Sequence, residues 1–190
     1  MSHKGHPFPA SQAWMLDNWL RRLLQPPSQL IRKLAISPED TFVDFGCGPG
    51  YYLPEIAKRA KTVIAADISS EMLAKARNKV AKAKANNVQF LKTDGKTVGV
   101  PDASVNKIML VTVYHEIGEN EKVLQEFQRI LKPDGKLLIV EIIRKSRIAA
   151  GPVQNPTTLQ AEIESGGFHL EQMMPYKMFG IFFFTKTRNQ

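Results

Sequence analysis

A single cysteine, two tryptophans and no long apolar run set the first limits on this 190-residue chain. One cysteine excludes an intrachain disulfide framework and any cysteine-based metal cluster. No apolar stretch approaches the ~18 residues of a membrane span; the longest runs only from Met178 to Phe184. The start of the chain has neither an apolar h-region nor a small-residue cleavage site, so no secretory leader is expected. His3 and His6 stand in a proline-rich opening and form no metal-ligand set. Internal repeats and low-complexity tracts are missing as well. The expectation is a soluble, cytoplasmic, single-domain protein without a metal. A chain of this length buries about 70% of its unfolded surface. Its 43% hydrophobic and 23% charged residues are ordinary globular usage, which excludes global disorder.

Negative charge is the scarcer sign. Eighteen Asp and Glu face 26 Lys and Arg, a net charge of +8, with a pI near 9.6. That balance attracts anionic partners, nucleic acid included. The basic residues crowd into Lys75, Arg77, Lys79, Lys82 and Lys84. At helical spacing Lys75, Lys79 and Lys82 share one face, and Ala76, Val80 and Ala83 another, the pattern of a solvated helix. No aromatics interleave with these lysines, so the stacking part of single-strand binding is missing. A basic RNA-binding module, or an RNA methyltransferase, stands as the alternative reading of the charge.

Periodicity supplies the elements. Apolar residues from Ser11 to Leu24, among them Trp14 and Trp19, recur at three and four and predict a helix stopped by Pro26-Pro27. A second amphipathic segment spans Leu30 to Ile36. Strands are expected at Thr41–Phe45, Thr62–Ala66, Val88–Leu91, Lys107–Val113 and Lys136–Ile142. Helices are expected at Tyr52–Ala60, from Ser69-Ser70 to about Ala85, and at Asn120–Leu131. Asn155-Pro156 reads as the cap and first residue of a further helix, closed by Gly166-Gly167. Phe168–Met173 and Met178–Thr185 complete seven strands, the last two antiparallel to each other because only Met174–Lys177 separates them. Strands alternating with helices make an α/β, doubly wound, mostly parallel sheet. Residues 1–29 form an N-terminal segment with a possible lid helix, and 30–190 the main domain.

Between the first strand and the next helix stands Asp44-Phe45-Gly46-Cys47-Gly48-Pro49-Gly50. The G-x-G-x-G spacing meets neither the dinucleotide fingerprint nor the P-loop. In a doubly wound sheet ligands bind beyond the carboxyl ends of the strands. Asp67 ends the second strand, placed like an acid that binds ribose hydroxyls, and Asp94-Gly95 follows the third on the same rim.

These residues make the chain resemble the class I S-adenosyl-L-methionine-dependent methyltransferases, in their small-molecule group (methyltransferase domain type 11) that includes the ubiquinone/menaquinone methylases. The resemblance runs from about Leu30 to Lys186 and includes the turns Val100–Val105 and Leu131–Lys136. It implies a Rossmann-like fold whose last strand inserts between the fifth and sixth, with S-adenosyl-L-methionine as cofactor. Gly46, Cys47, Gly48 and Gly50 would line the methionine portion, with Asp44 orienting the loop or reaching the amine. Asp67 would hold the ribose and Ile68 pack on the adenine. Asp94 would face the adenine amino group and the Gly95 amide a ring nitrogen. Leu110 would offer backbone contacts. Asn106 stands where the family often carries an acid, a departure at a turn.

The implied reaction is methyl transfer to a small-molecule acceptor by in-line displacement. Its acceleration comes largely from alignment and exclusion of water. A base is needed where the nucleophile must lose a proton, and Val113-Tyr114-His115-Glu116 follows the fourth strand. His115 is the candidate base and Tyr114 its neighbour on the substrate side; capping and core packing are the competing roles. Cys47, inside the loop, reads as a small neutral filler. Arsenite-type methylation, which uses several cysteines, is not expected. The Asn/Asp-Pro-Pro-Tyr/Phe signature of many base-amine methylases is absent after the fourth strand.

Overall fold

The computed structural model describes residues 27–145 and 152–187. The helix expected at Ser11–Leu24, with its lid role, and most of the loop Arg144–Gln154 lie outside them. The described residues fall into two compact units, one up to Val98 and one from Gly99 onward.

In the first unit, α1 (Pro27–Lys33) precedes three parallel strands, β1 (Thr41–Phe45), β2 (Thr62–Asp67) and β3 (Val88–Lys92). Val43 lies opposite Ile64, and Ile64 opposite Gln89. After their first residues β1 and β2 are buried throughout, as expected for parallel strands covered on both faces. The crossovers carry α2 (Leu53–Ala57) and α3 (Ser70–Lys82). Pro54 sits in the first turn of α2, where no amide donor is needed. Ser69 caps α3 by accepting the Met72 amide, and Met72, Leu73, Ala76 and Val80 form its buried stripe. Two cations on α3 lie over aromatic rings of this same unit, Arg77 at 4.5 Å from Phe90 and Lys79 at 5.9 Å from Tyr51.

The second unit holds β4 (Val105–Val111) and β5 (Leu131–Ile142) in parallel, with α4 (Asn120–Ile130) between them in the chain. After α5 (Pro156–Ser165) come β6 (Phe168–Tyr176) and β7 (Phe179–Lys186), and β7 is antiparallel to both β5 and β6. The Asn155 side chain caps α5 by accepting from Thr157 and Thr158, and Gly167 ends it at φ +84°. The strands are ordered β3-β2-β1-β4-β5-β7-β6. The sheet is therefore the seven-stranded, mostly parallel α/β arrangement expected, with β7 inserted between β5 and β6.

Some boundaries differ. β5 begins at Leu131, opposite Val105, and its pairing resumes at Lys136 opposite Lys107, so the Lys132–Gly135 turn bulges out of a continuing strand. β4 stops at Val111 because Thr112 turns into the left-handed region at φ +55°. The β6–β7 connection shrinks to Lys177-Met178, with Tyr176 paired to Phe179. Pro175 is accommodated because β6 is an edge strand. No helix among the described residues is long and apolar enough to cross a membrane.

Candidate functional site

The glycine loop is anchored to the end of β2. The amides of Gly46 and Cys47 both donate to the Ala66 carbonyl, at 2.8 and 3.1 Å, and the Gly50 amide donates to the Cys47 carbonyl. Gly50, at φ +76°, meets α3: a Cβ there would lie 2.9 Å from Ala76 Cβ. Gly48, at φ +53°, is different, because among the described residues other than its chain neighbours nothing lies within 4 Å of a Cβ built on it. One glycine is demanded by packing, and the other fronts open space.

Asp67 joins the loop to the strand end. Its Oδ2 accepts the Gly48 amide at 2.8 Å and its Oδ1 the Ser69 amide at 2.8 Å. Burial raises its pKa above the usual carboxylate value, opposed by the amides of Ser69, Gly48 and Ile68. Beside it Ile68 stays 41% exposed, an unusual state for an isoleucine at a buried strand's end. Ile68 Cγ2 is 3.2 Å from where a Cβ on Gly95 would stand, so these two meet. The Gly95 amide donates to Thr93 Oγ1 at 3.2 Å. Asp94 is exposed, and its Oδ1 accepts from the Lys96 and Thr97 amides at 2.8 Å and from Thr97 Oγ1. Those bonds hold its pKa down. Asp44 is buried within β1, opposite Ala65. Cys47 is buried; burial, then the charges of Asp44 and Asp67, pushes its thiol well up, so it stays protonated and a poor nucleophile.

In the second unit Leu110 is fully buried on β4, opposite Ile139. Beyond Thr112 a single 3-10 turn, Tyr114–Glu116, carries the acid–base candidate. His115 Nδ1 lies 2.9 Å from Glu141 Oε2, and the His115 backbone amide donates to Glu141 Oε1 at 3.4 Å. Glu116 Oε1 is 3.9 Å from Nε2. Burial by itself lowers the His115 pKa, but the hydrogen bond and charge of Glu141, with the charge of Glu116, outweigh it and raise the pKa above 6.5. Tyr114 is buried; burial, then the charge of Glu162, pushes its phenol far up. Asn120 Nδ2 also donates to Glu162 Oε1.

The fold thus brings the glycine loop, Asp67, Ile68 and Gly95 together in one unit and pairs His115 with Glu141 in the other. Glu141 was not anticipated from sequence. The available signal was one acid inside the apolar run Leu137–Ile143.

A family model described as "Methyltransferase domain" matches residues 43–139. An arsenite methyltransferase from Halobacterium salinarum is 27% identical over 157 residues, 74% of this chain and 40% of that protein. A demethylmenaquinone methyltransferase from Thermus thermophilus is 32% identical over 101 residues, 52% of this chain and 46% of that protein. The chain therefore spans less than half the length of either relative. A solved structure of a SAM-dependent methyltransferase from Aquifex aeolicus aligns with a TM-score of 0.86 at 27% identity, covering 94% of this chain and all of that one.

Proposed function

The chain belongs to the methyltransferase-domain family, and from that premise we propose that it moves a methyl group from S-adenosyl-L-methionine to a small-molecule acceptor by in-line displacement. The observation that carries the reading is the cradle around Asp67. A buried carboxylate grips the Gly48 amide, an exposed Ile68 stands beside it, and among the described residues open space lies in front of Gly48. These features fit an adenosine moiety with its amino-acid tail. Asp67 would bind the ribose hydroxyls, since its two oxygens offer more lone pairs than the backbone amides occupy. Ile68 would cover the adenine, with Asp94 and Gly95 at its edge. Gly46, Cys47, Gly48 and Gly50 would line the methionine portion, joined by Asp44 and the Leu110 backbone. When bound, the cofactor would supply an electrophilic methyl group with a neutral thioether as its leaving group.

His115 acts on the acceptor as general base. The demethylmenaquinone and arsenite relatives support a small acceptor. Arsenite fits these 190 residues poorly, because their single cysteine is buried and protonated. The test is turnover with cofactor carrying a deuterated methyl, offered to a panel of phenols, quinols, thiols and amines. Deuterated product formed in step with S-adenosylhomocysteine supports the reading. S-adenosylhomocysteine released without any labelled product counts against it.

A further inference from the structure

Glu141 is completely removed from solvent on β5. An ionised carboxylate so placed is stable only if donors satisfy it. Both of its oxygens reach His115, Oε1 to the backbone amide and Oε2 to ring Nδ1. A backbone N–H can only donate, so Oε1 accepts; with the carboxylate ionised, Oε2 accepts from Nδ1, which then carries the proton. The other ring nitrogen, Nε2, is left as an acceptor, and Glu116 at 3.9 Å is beyond hydrogen-bond reach of it.

The backbone is bent to make this contact. Thr112 is β-branched yet stands at φ +55°, a strained conformation for such a side chain. Its amide donates to Val140, the neighbour of Glu141, at 2.8 Å, and its hydroxyl to the Val111 carbonyl at 2.7 Å. The chain therefore leaves β4 alongside Glu141, and the 3-10 turn sets His115 on that carboxylate.

We propose that Glu141 is a positioning residue that locks His115 in the Nδ1–H tautomer, so that Nε2 takes a proton from the acceptor. This deepens the methyltransferase reading and rests on it. The acceptor is of the protic class: a hydroxyl, thiol or amine that must lose its proton. Its X–H bond breaks, the proton passes to Nε2, and the electron pair left on X forms the new bond to the methyl carbon as the carbon–sulfur bond of the sulfonium donor breaks and its pair leaves on sulfur. The resulting imidazolium is held by Glu141 until it returns the proton to solvent.

The experiment is nitrogen-15 NMR of the labelled full chain, with the His115 ring signals identified by their loss in His115→Ala. The expected result is a neutral imidazole protonated at Nδ1. An Nε2–H tautomer in the wild type overturns the proposal. In Glu141→Gln the side-chain carbonyl must face the His115 backbone amide, turning the NH₂ group toward Nδ1. The tautomer should invert, the His115 pKa should fall, and methyl transfer to phenol, thiol or amine probes should drop by about 10²–10⁴. S-adenosylhomocysteine binding should be unchanged. An unaltered tautomer and rate in this variant would also overturn the proposal, and if the variant does not fold, the wild-type spectrum decides. Failure of the underlying reading has a separate signature: no methyl transfer by the wild type, whatever its tautomer.

Discussion

Two glycines of one loop should respond to the same substitution in opposite ways. At Gly50, alanine places a Cβ 2.9 Å from Ala76 Cβ, 3.0 Å from Ala76 Cα and 3.0 Å from Leu53 Cδ1, at φ +76°. Left-handed strain costs about 1–2 kcal/mol, and overpacking against α3 about 1–3 kcal/mol. The reduced freedom of the unfolded chain offsets about 0.4–1 kcal/mol, leaving a loss of about 3 kcal/mol within a span of about 1–4.5 kcal/mol. For a chain of this size that lowers Tm by on the order of 10 °C. At Gly48 the strain is the same, but among the described residues other than its chain neighbours no atom lies within 4 Å of the new methyl. Gly48→Ala should therefore lose only about 1 kcal/mol of stability. Its methyl would project into the space assigned to the cofactor, so S-adenosylhomocysteine binding should weaken at least about tenfold, or 1.4 kcal/mol. Thermal unfolding and calorimetric titration of both variants read the two effects separately. Wild-type affinity in Gly48→Ala would refute the assignment of that space, and an unchanged Tm in Gly50→Ala would refute the packing argument.

Other outcomes follow from the same geometry. Asp67→Ala should weaken S-adenosylhomocysteine by about 1–3 kcal/mol through lost hydrogen bonds, measured by calorimetry; an unchanged Kd removes Asp67 from the ribose. His115→Ala should lower kcat by about 10²–10⁴ with cofactor affinity kept, whereas a raised KM alone would assign the residue to holding the acceptor. Because Glu141 and Glu116 raise the His115 pKa above 6.5, kcat/KM should climb with pH through a limb above that value. The linked stability has the opposite sense: it is fully present below the unfolded pKa of about 6.5 and lost as pH rises through the folded one. Urea unfolding of wild type and His115→Gln across that range would show the difference shrinking with pH. On the charge alternative, an electrophoretic shift with RNA should be absent or nearly salt-independent, and a steep salt slope would favour nucleic-acid binding.

The cradle was legible in the sequence because its determinants are local. Glycine spacing after β1, an acid ending β2 and Asp-Gly after β3 each follow a strand whose end the apolar runs already mark. Asn155-Pro156 announced α5 for the same reason, a cap and a first-turn proline side by side. The His115–Glu141 pair spans 26 residues and exists only through the β4–β5 register, in which Val111 meets Val140. No local pattern encodes that register. The bulge at Lys132–Gly135, which sets it, reads in sequence as an ordinary turn. Asp94 shows the reverse case: its motif is plain, yet its Oδ1 is engaged by the turn at Lys96 and Thr97, as the small polar residues that follow it allow.

The most direct test of the account is calorimetric titration of the purified wild-type chain with S-adenosylhomocysteine. A cradle of this kind should bind one ligand per chain, saturably, with Kd below about 0.1 mM, or roughly 5.5 kcal/mol of binding free energy. No detectable binding at that concentration would contradict the claim that the loop at Gly46–Gly50 and the carboxylate of Asp67 hold this cofactor.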